Sequence, residues 1–275
     1  EQHGMLLRNY DALKGVAGIF ESLDFQTYDH FVTLGQSSIR QIHKYCNRGG
    51  FRFPNLDKLA IIFTSRLENM DRISMRKKPD VREIAVPLLY RRTLEVGSEP
   101  GPKQPRAFFA GSCTCPMRRT LRSRLHAAQI YDMSNVLDCG NKVARRDYHD
   151  AIRSAEWVIT PRGAFPATYM IAEAVQAGSR PAYIFGWKYN YSKPLPPAAS
   201  IATNLPYVNI GLDWNQLGLV TTADYLDEVP AMLRAAHTAD DRRADYLRWA
   251  RDLFTVDGAF QYILATLHAY SSGGF

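Results

Sequence analysis

The segment Ile159-Thr160-Pro161-Arg162-Gly163-Ala164-Phe165-Pro166-Ala167-Thr168 carries residue types suited to binding an anion. A short apolar run ends at Pro161, and Gly163 lets the backbone turn tightly and approach a ligand. A helix is predicted to open near Pro166, leaving its first N–H groups and positive dipole end exposed beyond the strand. Phosphate groups favour such an end, and Thr168 adds a hydroxyl donor. Glu173 lies further along the same helix, and a carboxylate there can accept hydrogen bonds from ribose hydroxyls. The competing reading is a solvated helix face. Arg118, Arg119, Arg122 and Arg124 form a basic group, in which a spacing of four puts Arg118 and Arg122 on one helix face. Here too the alternative is a solvated basic helix.

These residues need strands and helices to position them. Tyr28 to Leu34, Leu59 to Thr64 and Ile84 to Leu89 read as buried strands, with a helix from Ser37 to Cys46. Three prolines and two glycines between Val96 and Pro105 cannot continue a helix or a central strand, which predicts a linker over 96–105. Beyond it, Ala107 to Ala110 is a strand, Arg118 to Ala128 and Tyr148 to Ala155 are helices, and Trp157 to Thr160 is a strand. Pro166 to Ala177 reads as a helix, with Pro at its start and Gly178 just past its end, and Pro181 to Phe185 as the next strand. Strand, helix and strand at this spacing mean a parallel sheet with crossover helices. Helices fill the tail from Ala223 to Tyr270, broken near Pro230 and Asp257-Gly258. The predicted organisation is an N-terminal α/β domain over 1–95, the linker, a second α/β domain over 106–245, and C-terminal helices over 246–275 that pack back on the first domain. Ligands of such open sheets sit outside the carboxyl ends of the strands.

Composition sets bounds on this reading. The 275 residues carry 34 basic and 27 acidic side chains, a formal charge of +7, with 46 % hydrophobic residues. That balance excludes disorder and simple coiled coil. No run of about 18 apolar residues is present to span a bilayer, and residues 1–10 show no signal-peptide core. Cys46, Cys113, Cys115 and Cys139 are too few for a disulfide scaffold, and Cys113-Thr114-Cys115 lacks the second ligand pair of a zinc site. The positive charge suits an anionic partner without naming one.

Five islands in order resemble the exostosin family of glycosyltransferases. They are Tyr28-Asp29-His30-Phe31; Arg82 to Pro87; Phe108-Phe109-Ala110-Gly111 with Arg118-x-x-Leu121; Pro161-Arg162-Gly163 with Thr168 to Ala174 and Gly178 to Pro181; and Leu212 to Val220, which resembles the family's hydrophobic Trp-containing strand. Two departures stand out. Met170 occupies the place of a usual arginine, for which Arg162, Arg180 or an arginine after Gly111 could substitute, and Tyr28 replaces a glycine.

The resemblance implies a GT-B-like α/β fold, two Rossmann-like domains facing a central cleft with a helical C-terminal tail. It also implies inverting, metal-independent transfer of one sugar, xylose or galactose favoured, from a UDP-sugar donor to a hydroxyl of a glycan acceptor. The chain contains no Asp-x-Asp, the metal-diphosphate signature of the other main glycosyltransferase fold. No metal or other cofactor is therefore expected, and Arg side chains with helix-end N–H groups would neutralise the diphosphate. The donor set is then Gly111, Arg118, Arg122, Arg162, Gly163, Thr168 and Glu173. The general base is Asp29 or His30, with Glu83 and Glu68 in reserve. A core histidine and a strand-end cap are the plain alternatives for the first pair.

Two other function classes compete: a catalytically degenerate protein that binds a nucleotide sugar or glycan, and a basic nucleic-acid-binding module. The second lacks a reader motif and aromatic interleaving, so no nucleic-acid partner is expected. A soluble protein is expected, with the unpaired thiols favouring cytoplasm. The Golgi lumen fits if an N-terminal anchor was removed; only there would the sequon Asn190-Tyr191-Ser192 matter.

Overall fold

The computed structural model describes residues 30–34, 59–64, 82–87, 89, 103–110, 116–128, 145–162, 168–186, 195–235 and 241–271. The chain divides into two compact units, Glu1–Ile84 and Ala85–Phe275. The described part of the first holds β1 (His30–Leu34) and β2 (Leu59–Thr64), and β3 (Arg82–Ala85) completes a sheet ordered β1-β2-β3. β1 and β2 are parallel, with Phe31 opposite Ile61 and Leu34 opposite Thr64.

The second unit is built on four parallel strands in consecutive order: β4 (Gln104–Phe108), β5 (Ala155–Pro161), β6 (Arg180–Phe185) and β7 (Leu219–Thr222). β4 already includes Gln104 and Pro105, the last residues of the predicted linker. Proline is tolerated there because β4 is at the edge of this sheet.

The central strands β5 and β6 read as near-continuous apolar runs because both faces are buried. Successive side chains alternate between two cores. Ala107, Phe109, Trp157, Ile159, Ala182 and Ile184 face one layer, which contains α1 (Pro116–Ala127) through Leu121 and Leu125. Phe108, Ala110 and Val158 face the other, covered by α2 (Arg145–Ser154) through Ala151 and Ile152 and by α3 (Tyr169–Gln176) through Met170 and Ala174. Leu121 and Leu125 are fully buried, and each such side chain stabilises by about 1.5–3 kcal/mol.

α3 ends in a Schellman motif: Gly178 takes φ 69°, its N–H donates to the Val175 carbonyl (3.0 Å), and Ser179 N–H donates to the Ala174 carbonyl (2.8 Å). Lys103 draws the carboxyl ends of two helices together. Its Nζ donates to the carbonyls of Arg153 (2.6 Å) and Ala177 (2.7 Å) and to Ser179 Oγ (2.9 Å). A cation there satisfies carbonyls that a helix end leaves without partners.

After β6 come α4 (Ala198–Ala202) and α5 (Trp214–Leu217). The Leu212–Val220 stretch, likened to a strand, is therefore a short helix followed by β7. Asp213 caps the helix, accepting from the Asn215 N–H at 2.9 Å, and Trp214 Nε1 donates to the Pro206 carbonyl at 2.9 Å. The tail forms α6 (Val229–Ala235), α7 (Asp241–Leu253) and α8 (Val256–Ser271). Pro230 sits inside the first turn of α6 rather than breaking a helix, and the later break falls at Phe254-Thr255, just before Gly258. α7 packs against α3 and α5, and the link after it is pinned where Gln176 Nε2 donates to the Phe254 carbonyl (2.7 Å). Among the described residues no helix is long and apolar enough to cross a membrane.

Candidate functional site at the carboxyl ends of the parallel strands

Two arginines meet where β5 and β6 end. Arg118 is the third residue of α1, the helix that follows β4. Its Nε donates to the Arg162 carbonyl (3.0 Å) and its Nη2 to the Pro161 carbonyl (3.2 Å). Arg162 follows β5 directly, and its backbone N–H donates to the Ile184 carbonyl (3.0 Å). Its Nη1 donates to the Gly186 carbonyl (2.6 Å), and its guanidinium lies 5.9 Å from the centre of the Phe185 ring. Both arginines are more than nine-tenths buried. These bonds tie the first turn of α1 to the ends of two neighbouring strands, β5 and β6. The acceptors of these bonds are neutral carbonyls, which solvate the guanidinium charges.

The packing is close at Gly186. A Cβ there would come 2.5 Å from Met117 Sδ and 3.1 Å from Ala223 Cβ, so a larger residue would have to push the Met117 side chain aside. Arg122 lies one turn beyond Arg118 and is half-buried, whereas Arg119 and Arg124 are exposed, the latter paired with Asp227 at 2.5 Å.

α3 begins at the same edge of the sheet. Thr168 precedes it in an extended conformation (φ −139°, ψ 140°), buried, with no side-chain capping bond. Glu173 is five residues further on. Its Oε2 accepts from the Tyr148 hydroxyl, which comes from the first half of α2. Burial holds the Glu173 carboxyl above the usual carboxylate range, opposed by the Tyr148 hydrogen bond. Burial, and then the Glu173 charge, push the Tyr148 phenol well up, so it acts as a donor.

Of the predicted donor residues the structure brings Arg118 and Arg162 together; Arg122 lies one turn further along α1, Thr168 immediately precedes α3, and Glu173 lies within α3 against Tyr148. Asp29, Gly111 and Gly163 lie outside the described residues, as does Glu68. His30 opens β1 and Glu83 lies in β3. Met170 is buried against Phe108, Ala110 and Val158, where an arginine would carry charge into an apolar layer. Of the substitutes for that arginine, Arg180 is at the wrong end. It opens β6, stacks 3.9 Å from the Trp157 ring centre and pairs with Glu156 at 3.7 Å. Tyr183 and Phe185 are fully buried in β6. Tyr148 gave no sequence signal, because a partner 25 positions away is chosen by the tertiary fold.

No protein-family model and no curated protein matches the chain. Solved structures do, among them one described as the crystal structure of the GtfA/B complex, with 11 % identity and a TM-score of 0.46. The match covers 90 % of this chain and 54 % of that one, so this chain spans about half of its length.

Proposed function

We propose that the protein is a glycosyltransferase of the GT-B type. In this reading it transfers one sugar, xylose or galactose favoured, from a UDP-sugar to a hydroxyl of a glycan acceptor with inversion and without a metal. The observation that carries the reading is the Arg118–Arg162 pair at the carboxyl ends of β5 and β6, beside the start of α3. A leaving diphosphate gathers negative charge as the glycosidic bond breaks, and preorganised cations and N–H donors stabilise it more than they stabilise the bound donor. The sequence likeness to exostosins supports the same assignment and rests on its five islands alone.

In the proposed reaction the acceptor oxygen bonds to the anomeric carbon while the bond from that carbon to the phosphate oxygen breaks. The electron pair leaves with UDP, and the acceptor proton passes to Asp29 or His30. Arg118, Arg162 and Arg122 hold the diphosphate with the α3 N-terminus and Thr168. Gly111 and Gly163 admit the phosphates to the backbone, and Glu173 receives the ribose.

The test is a thermal-unfolding panel of UDP, GDP, CMP and UDP-sugars in EDTA, followed by UDP release in the presence of glycan acceptors. A ligand at a hundred times its dissociation constant stabilises by about 2.7 kcal/mol. Stabilisation by UDP and by one UDP-sugar is expected. No response to any nucleotide would overturn the reading, and UDP binding without donor turnover would move it to a nucleotide-sugar-binding protein.

A further inference from the structure

Glu173 is an unusual side chain for its surroundings. It is half-buried beside a layer between α2, α3 and the sheet that contains Phe108, Ala110, Ala151, Ile152, Val158, Met170 and Ala174. A carboxyl at the margin of an apolar layer loses hydration unless a partner compensates it, and local rules are broken most often at functional positions. One of its oxygens, Oε2, is held by Tyr148. The other, Oε1, is not engaged by that bond, and the side chain is only half-buried. The holder is itself fixed, since the Tyr148 ring packs edge-on against Phe108 with centroids 5.6 Å apart at 65°. Phe108 is the last residue of β4, so the phenol is anchored to the sheet rather than to a loop.

We propose that Tyr148 is a positioning residue for nucleotide recognition: its hydroxyl fixes the Glu173 carboxylate so that Oε1 accepts from the vicinal diol of a ribonucleoside diphosphate. The inference rests on the nucleotide-binding reading above and adds a residue that reading does not need. The spacing suits it. Five helical residues at about 1.5 Å each separate Glu173 from Thr168, close to the span from a ribose hydroxyl to the diphosphate. Helical side chains also lean towards the N-terminus, which carries the carboxylate back towards the phosphate end. Without the phenol, the carboxylate would sample several rotamers, and each bond to the diol would have to overcome that freedom. A phenol raised well above its ordinary range donates at every working pH, so the lock does not open.

The experiment measures UDP and 2′-deoxy-UDP affinities, by calorimetry, for the wild type and for Tyr148→Phe, Glu173→Ala and the double variant. The wild type should prefer UDP by about tenfold, the worth of one hydrogen bond to a charged group. Tyr148→Phe keeps the ring and removes only the hydroxyl. It should cut the preference to about twofold while leaving 2′-deoxy-UDP affinity unchanged, and the double variant should fall no further than Glu173→Ala. Equal loss of both affinities in Tyr148→Phe would assign the residue a purely structural role and overturn the proposal. So would an unchanged preference. If Tyr148→Phe does not fold, Glu173→Ala carries the test alone: an undiminished preference there means that the carboxylate Tyr148 holds does not read the diol, and overturns the proposal. Failure of the wild type to bind either nucleotide is a different result, and it sinks the transferase reading together with this one.

Discussion

Replacing Arg118 with methionine removes the guanidinium and keeps most of the aliphatic stem. Two charge-assisted hydrogen bonds disappear, to the carbonyls of Arg162 (3.0 Å) and Pro161 (3.2 Å). Bonds of this kind contribute about 1.5–3 kcal/mol each. Some of that returns, because a buried guanidinium no longer has to be desolvated, and a carbonyl that loses one partner tolerates it better than an N–H does. The net loss is about 2–4 kcal/mol. For a unit in this size class each kcal/mol moves the midpoint by about 2–4 °C, so Tm should fall by roughly 4–16 °C. The same scale puts the UDP response of the wild type at about 5–11 °C when the ligand is at a hundred times its Kd. Arg118→Met should lose most of that response at the same UDP concentration. Arg118→Lys should recover part of the charge but not the two-pronged geometry, and fall between the two. Differential scanning calorimetry with and without UDP reads both quantities. A variant melting within about a degree of the wild type would refute the hydrogen-bond reasoning. An unchanged UDP response would remove Arg118 from the diphosphate site even if its structural role held.

Glu173→Gln tests the buried carboxyl through pH. The native state keeps the Glu173 proton above the ordinary value of 4.5, so it binds more protons than the unfolded chain does. Stability from this group is therefore present at low pH and lost as pH rises through the raised value. Glutamine cannot titrate and still offers Tyr148 an acceptor, so the variant should gain on the wild type between pH 4 and pH 8 in urea unfolding; a constant difference would contradict the assignment. Gly218→Ala and Gly211→Ala form a steric pair. A Cβ at Gly218 would lie 2.1 Å from the Pro181 carbonyl oxygen, where backbone must move, while Gly211 has open space and only its φ of +92° to strain. The first should cost about 3 kcal/mol or more and the second about 1, and the reverse order in thermal melts would refute the packing at the β6–β7 edge.

The strands at Trp157 and Pro181 are legible in the sequence because a parallel strand buried on both faces must be apolar at every position. Gly178 announces the end of α3 for an equally local reason, its φ of 69°. Leu212 to Val220 misleads because its apolar residues are interrupted by Asp213, Asn215, Gln216 and Gly218, and likeness to a Trp-containing strand ignores them. The decisive signal is Asp213, whose side chain caps a helix of only four residues. Tyr207 could not have been read at all. It takes φ 70°, a conformation that glycine usually supplies, and its ring is held by contacts with Phe254 and Tyr262, each far along the chain.

The candidate site divides along the same line. Residue types at strand ends are local information, and they single out Arg162 and Thr168. Which groups meet is long-range information: Arg118 reaches Arg162 across 44 positions, and Tyr148 reaches Glu173 across 25. Met170 shows why a motif alone points to the wrong charge. Its side chain belongs to the apolar layer under α3, and the cations that could serve in its place come from α1, on the opposite face of the sheet, and from the end of β5. In the proposed site a charge dropped from one helix is supplied from the other side of the sheet. The anion would then be held across the strand ends rather than along α3. Arg118 would consequently control diphosphate binding and Glu173 ribose selection, two effects that UDP and 2′-deoxy-UDP separate.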